Sequence, residues 1–326
     1  MAVYTYARAL ATALDEAMAA DERVVSFGNY FAGLSPEQRH FDELETRRPD
    51  RFELPPWSEL ANAGIAIGAA TGGLRPLVDF VTASFVFQAF AQVANEAPNI
   101  AHTTRGQTRV PAVFHMIGGL RGGGASQHSH RPQSLFWNTP GLQVAMPATP
   151  SDAYGLLRHL LLEADGPSVF ITHAKLLGVE EEIEDLEAAR LEPGRGRIER
   201  DGSDVTIVAT SVMVSRAVEA AERMAGEGIS CEVLNLRTLV PYDEALVAES
   251  VGKTRRVVVA DEGHRSAGAA AEILARIIER HFGDLDHAPV RVCTPDSPIP
   301  FSPVLEAHLT PTTERIVAAV SEVSGR

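Results

Sequence analysis

Val205-Thr206-Ile207-Val208-Ala209-Thr210 is a continuous apolar and β-branched run, the composition of a strand buried on both faces. The stretch 214–225 repeats apolar residues at helical spacing, and Cys231-Glu232-Val233-Leu234-Asn235-Leu236 is a second strand-like run. Strand, helix and strand within ~30 residues form a βαβ unit, whose strands lie parallel with the helix crossing over them. Downstream, the spacing predicts a helix over 244–251 and a strand over 257–260 that ends at Asp261-Glu262. A long helix over 267–282, a strand over 290–293 and a last helix over 313–323 follow.

The same alternation runs upstream. A helix over 5–20, with Thr5 as its cap, precedes a short strand over 24–27. A helix rich in Ala and Gly spans 58–71, a strand 76–80 and a helix 85–97. Strands over 110–116 and 142–146, a helix over 151–163 and a strand over 169–172 complete the first region. The fold class is therefore α/β, with two three-layer domains of mainly parallel sheets and right-handed crossovers. A length of 326 residues agrees, since one domain takes ~100–200. The expected divisions are a first domain at 1–185, a linker at 186–203 and a second domain at 204–326. The run Glu180-Glu181-Glu182 reads as solvated surface near that linker.

Lys and Arg number 29 against 43 Asp and Glu, a net charge of −14. Such a surface repels phosphate backbones and anionic lipid, which argues against nucleic acid and membranes as partners. No apolar run approaches the ~20 residues of a membrane span. Two cysteines, Cys231 and Cys293, make no disulfide framework. Together with an N-terminus that lacks signal-peptide form, they make a cytoplasmic location the expectation.

Three places carry chemistry. Gly118-Gly119-Leu120-Arg121-Gly122-Gly123-Gly124 follows a strand. Its backbone N–H groups either cradle an anion or simply allow close packing. It lacks the Lys-Ser/Thr of a phosphate-binding loop. Gln127-His128-Ser129-His130 lies just past it, where an open α/β sheet places ligands and an imidazole exchanges protons near neutral pH. Glu59 stands at the start of an apolar helix. There it is either a dipole partner or a carboxyl desolvated by a wall of Trp57, Leu60, Ala61 and Ile65. Phe85 and Gln88 lie three apart and share a helix face, a cradle for a heteroaromatic ring; Phe87 and Phe90 read as core.

Taken together these segments resemble the β subunit of the thiamine-diphosphate-dependent 2-oxoacid dehydrogenases, the E1 component of pyruvate, branched-chain and acetoin dehydrogenase complexes. The resemblance runs nearly end to end. Its marks are Ser58-Glu59, Gly72-Gly73-Leu74-Arg75-Pro76, Gly122-Gly123-Gly124 with Gln127-His128-Ser129, and Pro147-Ala148-Thr149-Pro150-Ser151-Asp152. In the second half they are Asn235-Leu236-Arg237-Thr238-Leu239, Asp261-Glu262-Gly263 and Pro295-Asp296-Ser297-Pro298-Ile299-Pro300. It implies a transketolase-type pyrimidine-binding domain followed by a transketolase C-terminal domain. Glu59 then matches the acid that hydrogen-bonds the aminopyrimidine and favours its imino form. Phe85 matches the ring stacked on that pyrimidine, with Gln88 and Val81 lining it. His128 matches the loop histidine that positions substrate and handles protons during acyl transfer, with Gln127 and Ser129 beside it. The Gly-Asp-Gly…Asn diphosphate motif is absent from this sequence. An α subunit is thus expected to supply the diphosphate and Mg²⁺ sites within an α₂β₂ heterotetramer, with a lipoyl acyltransferase (E2) as a further partner. Some relatives hold K⁺ on backbone carbonyls near 161–166; here Ala164 and Gly166 replace the expected Asp and Asn.

Several positions depart from the family pattern. They are Gly28-Asn29-Tyr30 after the first strand, Trp57 behind two prolines, Ala61, Arg265-Ser266-Ala267-Gly268, and His130-Arg131-Pro132 after Ser129. His130 and Arg131 are expected as cationic contacts to an anionic donor or acceptor. That expectation opens a carboligase reading, with an acceptor other than lipoamide. A non-catalytic structural partner of an α-like chain and a stand-alone nucleotide-binding protein are the remaining alternatives.

Overall fold

The computed structural model describes residues 2–325. It divides into two compact units, one of residues up to 119 with 135–193, the other of 120–134 with 194 onward. Through residue 183 the chain runs β1 (Ala2–Thr5), α1 (Tyr6–Ala20), β2 (Val24–Phe27), α2 (Arg39–Arg47), β3 (Phe52–Glu53), α3 (Glu59–Thr71), β4 (Arg75–Thr82), α4 (Ala97–Thr103), β5 (Val113–Gly118), α5 (Gln133–Trp137), β6 (Gln143–Ala145), α6 (Pro150–Leu162), β7 (Ser168–His173) and β8 (Glu180–Ile183).

In the first unit β6, β7, β5, β4, β2 and β3 lie side by side in that order, every pairing parallel. Every residue of β5 and β7 is buried, so both faces of the sheet are covered, as parallel sheets require. Thr5 caps α1 by accepting from the Arg8 N–H at 3.2 Å. The buried Tyr6, Leu10, Leu14 and Met18 of α1 supply the face that packs on α6. From β2 the chain passes to β3 on one side, and from β4 to β5 on the other. The carboxyl ends of β2 and β4 therefore flank the point where strand order reverses, the place where open α/β sheets bind ligands.

The second unit contains β9 (Arg197–Arg200), β10 (Val205–Ala209), α7 (Met213–Ala225), β11 (Cys231–Asn235), β12 (Thr238–Val240), α8 (Glu244–Thr254), β13 (Val257–His264), α9 (Ala269–His281), β14 (Val290–Thr294), α10 (Pro303–Leu309) and α11 (Thr313–Ser324). Its sheet is ordered β14-β13-β10-β11-β9, parallel except for the antiparallel edge strand β9. By the same topological rule its order reverses between β10 and β13; Ser211 follows the end of β10, and Asp261-Glu262 lie in the second half of β13.

Three local expectations change. The stretch 186–203, expected as a linker, carries a 3₁₀ turn at Glu187–Ala189 and the strand β9. The acidic run 180–182 is not loose surface: it forms β8, antiparallel to β1. Glu181 there accepts from the Ser151 N–H at 2.8 Å and the Ser151 hydroxyl at 3.0 Å, at the start of α6. The segment 85–97, expected as one helix, is divided between a 3₁₀ helix at Ala83–Ala89 and a π stretch at Gln92–Glu96 leading into α4. Both cysteines are buried and unbridged. Among the described residues no helix is long and apolar enough to cross a membrane.

Candidate active site

The reversal point of the first unit is organised by one buried carboxylate, Asp79 of β4. Its Oδ1 accepts from the Val81 N–H at 2.8 Å and its Oδ2 from the Tyr30 N–H at 2.5 Å. His115 Nδ1 lies 3.5 Å from Oδ1, while His115 Nε2 bonds the Thr172 hydroxyl at 3.2 Å. Gly28 ends β2 at φ +102°, and a Cβ there would stand 3.0 Å from the Asp79 Cβ. Val81 itself adopts φ 58°, a region costly for a β-branched residue. The bond from its N–H to Asp79 holds it there, where the β4–β5 register shifts. Asp79 was not among the candidates read from sequence, although a lone acid in the apolar run Leu77-Val78-Asp79-Phe80 was a visible signal.

Glu59 is the first residue of α3, whose cap Ser58 accepts from the Ala61 N–H at 3.3 Å. Its carboxyl meets no hydrogen-bond or ionic partner among the described residues, and its side chain is partly exposed. The wall expected to desolvate it is a surface instead: Trp57 is 67% exposed, and Leu60 and Ile65 are each 50% exposed. The helix turns an apolar face that includes Leu60 and Ile65 outward, so this chain alone does not enclose the acid. Trp57 packs on Tyr30, ring centroids 5.2 Å apart, which links the entry to α3 with the Asp79 network. The α3 helix packs on β4 and on the 3₁₀ helix that carries Phe85 and Gln88. Residues three apart eclipse in a 3₁₀ helix, so that ring and that amide lie one above the other. Mixed 3₁₀ and π geometry in one helix often marks a functional segment. Phe87 and Phe90, expected in the core, are 42% and 36% exposed.

The glycine-rich segment from Leu120 on, with His128 and His130, belongs to the second unit. Gly122 and Gly123 have φ values of +85° and +113°, and their N–H groups do cradle an anion, which is the carboxylate of Glu306. That cradle is therefore filled from within. His128 ends a 3₁₀ turn at Ser126–His128 and is partly exposed; Gln127 is exposed and Ser129 buried. The Ser129 hydroxyl has no hydrogen-bond partner among the described residues and lies against the loop, 2.7 Å from where a Gly124 Cβ would stand. Burial lowers the His130 pKa, and the nearby His264 lowers it further, both acting against a positive charge on the ring. The Arg131 side chain is only 4% exposed, and its Nε lies 3.4 Å from the fully buried Glu262 carboxylate. Neither residue offers the exposed positive charge expected of it.

The carbonyls considered for K⁺ already face a cation. The buried Arg75 donates through Nε to the Leu161 oxygen and through Nη2 to the Ala164 oxygen, the latter at 2.6 Å. A second monovalent ion at the same oxygens would meet that guanidinium, so these residues do not fit K⁺. The thermal midpoint is accordingly expected to be equal in KCl and NaCl at matched ionic strength. Arg75→Met should lower stability by about 2–5 kcal/mol, because it strands two buried carbonyls. A specific rise of the midpoint in K⁺ would refute this reading. No group of three or more His, Cys, Asp or Glu among the described residues forms a divalent-metal site.

Comparison with known proteins gives concordant results. The transketolase pyrimidine-binding domain model matches residues 3–179, and the transketolase C-terminal domain model matches residues 194–316. The mitochondrial pyruvate dehydrogenase E1 component subunit beta-1 of Arabidopsis thaliana is 38% identical over 95% of this chain and 86% of its own length. The acetoin:2,6-dichlorophenolindophenol oxidoreductase subunit beta of Cupriavidus necator is 37% identical over 95% of this chain and 94% of its own. Among solved structures, a split-gene transketolase described as an inactive beta4 tetramer superposes with a TM-score of 0.79 at 26% identity, covering 98% of both chains.

Proposed function

This chain belongs to the family of E1 β subunits of the thiamine-diphosphate-dependent 2-oxoacid dehydrogenases, and from that premise we propose how its residues divide the work. The first unit takes the pyrimidine end of thiamine diphosphate, and an α subunit supplies the diphosphate and Mg²⁺ sites. The observation that carries this is Glu59. It is an acid at the head of α3 with no partner in its own chain among the described residues, on a helix packed against the turn of Phe85 and Gln88. An unpaired acid, a ring and an amide on elements that pack together fit an aminopyrimidine.

When bound, thiamine diphosphate supplies the nucleophilic carbon and the electron sink for decarboxylation of a 2-oxoacid. Glu59 holds a proton against the pyrimidine ring nitrogen, Phe85 stacks on the ring, and Gln88 and the strained Val81 backbone line it. The exposed Trp57, Leu60 and Ile65 are the surface that the α subunit covers, which provides the dry surroundings a proton-sharing carboxyl requires. His128 exchanges the proton that accompanies acyl transfer, with Gln127 and Ser129 beside it. The lowered His130 pKa and the inward pairing of Arg131 count against an acceptor other than lipoamide. The lipoyl group of an acyltransferase (E2) is the acceptor we favour over a carboligase reaction.

The test uses the full chain assembled with its α subunit. Decarboxylation is followed with an artificial electron acceptor, and acyl transfer with a lipoyl domain. His128→Ala is expected to slow lipoyl acylation about 10²–10⁴-fold, the usual weight of a general acid–base group, and to leave decarboxylation nearly unchanged. Absence of any thiamine-diphosphate-dependent turnover in the wild-type complex would overturn the proposal.

A further inference from the structure

The segment 120–134 is pinned by acids that arrive from distant parts of the second unit. At its start the Leu120 N–H donates to Glu262 Oε2 at 3.0 Å. At its end Gln133 Nε2 donates to Asp261 Oδ1 at 2.9 Å. Between them the Gly122 N–H donates to Glu306 Oε1 at 2.6 Å and the Gly123 N–H to Glu306 Oε2 at 2.9 Å. Glu306 lies on α10, 183 residues beyond Gly123 and only 2% exposed. A second tie joins the same regions, the Ser126 hydroxyl donating to the Ile299 carbonyl at 2.9 Å. Glu306 also faces the Arg121 guanidinium, where its charge opposes the lowering of the arginine pKa by burial.

A glycine turn with consecutive N–H groups aimed at one point is an anion nest. Left empty, its donors would be partly buried without acceptors and its positive-φ backbone would have little to hold it. A bidentate carboxylate satisfies both donors at once, and charge-assisted bonds are the strong ones. The turn Ser126–His128 begins three residues after Gly123, so the nest lies directly upstream of the imidazole.

We propose that Glu306 is a positioning residue for His128: it serves as a built-in anion that closes the glycine nest and fixes the turn that presents the imidazole. This rests on the role given to His128 above and adds to it the group that holds the loop in place. In Glu306→Gln the amide oxygen accepts one N–H, but the NH₂ is set against the other. In Glu306→Ala the nest is empty and open to a small carboxylate from solution.

The experiment uses the full chain with its α subunit and two independent readouts. Backbone amide exchange over 119–131 should accelerate about 10–100-fold in Glu306→Ala, the scale of losing charge-assisted bonds, while β10 and β11 keep their protection. Formate added to Glu306→Ala should restore protection. Lipoyl acylation should fall by a similar factor in both variants, recover with formate in Glu306→Ala, and be affected far more than decarboxylation. Unchanged exchange in the loop would overturn the proposal. So would protection lost across the whole second unit without rescue, because Glu306 would then act only in folding. If the loop loosens and formate restores it while acylation stays at the wild-type rate, the positioning role fails. His128→Ala then separates the two layers: normal acylation in that variant too places the failure in the role given to His128.

Discussion

Glu59→Gln is expected to lower thiamine-diphosphate-dependent turnover about 10²–10⁴-fold, the contribution of a positioned proton-sharing group. The amide keeps the shape of the side chain but cannot hold or release the proton at the pyrimidine nitrogen. The same change should barely affect the fold. Glu59 has no partner among the described residues of its own chain, and its stabilising role is that of an acid in the first turn of α3. Such a charge contributes about 0.3–1 kcal/mol. The two magnitudes differ enough to decide the case: a stability loss that small cannot account for a turnover loss that large. Turnover with an artificial electron acceptor and the melting midpoint, measured on one preparation of the complex, separate them. Activity within two-fold of wild type would remove Glu59 from the mechanism, and with it the observation on which the functional proposal stands.

The alternation of strands and helices was legible because parallel strands covered on both faces leave continuous apolar runs, as in β5, β7 and β10. What escaped the sequence depends on partners far along the chain. The glycine segment reads locally as an anion cradle, and its N–H groups do bind a carboxylate. Nothing near residue 122 reveals that the anion belongs to Glu306. The run 180–182 reads as solvated because it is acidic throughout, yet in β8 successive side chains alternate in direction. Glu181 is turned inward to Ser151 while Glu180 and Glu182 stay exposed. Val81 is the least expected residue type for a left-handed backbone, and only the position of Asp79 makes the conformation tenable.

The apolar residues around Glu59 show a different gap. Composition identified Trp57, Leu60 and Ile65 as apolar neighbours of the acid, but composition cannot tell an enclosed wall from an uncovered face. In this chain they are exposed, and the proposed α subunit is what would cover them. Likewise Arg131 was visible as a cation beside the histidines, but the sense of its charge was set by Glu262, 131 residues on and beneath the same loop. Its guanidinium works inside the protein.

Glu262 is where the largest loss of stability is expected. Its carboxylate is fully buried, with Arg131 Nε 3.4 Å from Oε2 and Arg216 Nη1 3.4 Å from Oε1. The same Oε2 accepts the Leu120 N–H at 3.0 Å. The side chains of Arg131 and Arg216 are themselves only 4% and 14% exposed, so neither guanidinium can turn to water when the acid is removed. Arg216 retains one other strong acceptor, the Pro311 carbonyl at 2.9 Å. Among the described residues none of the Arg131 nitrogens meets an acceptor within bonding geometry, and the charge that remains to offset it is that of the buried Asp261. Breaking a buried pair from one side costs about 3–5 kcal/mol, most of it from the charge left without compensation. Glu262→Ala is therefore expected to destabilise the full chain by that amount. Glu262→Gln should cost less, because the amide oxygen still accepts from Leu120 although the charge is gone. Removing the cation as well, in Glu262→Ala with Arg131→Met, should recover part of the loss. Denaturant midpoints of the three variants and the wild type form the comparison. If Glu262→Ala lost less than about 1 kcal/mol, the scale of an exposed pair, the charges would be reaching water and the pinning of the loop by Glu262 would be untenable.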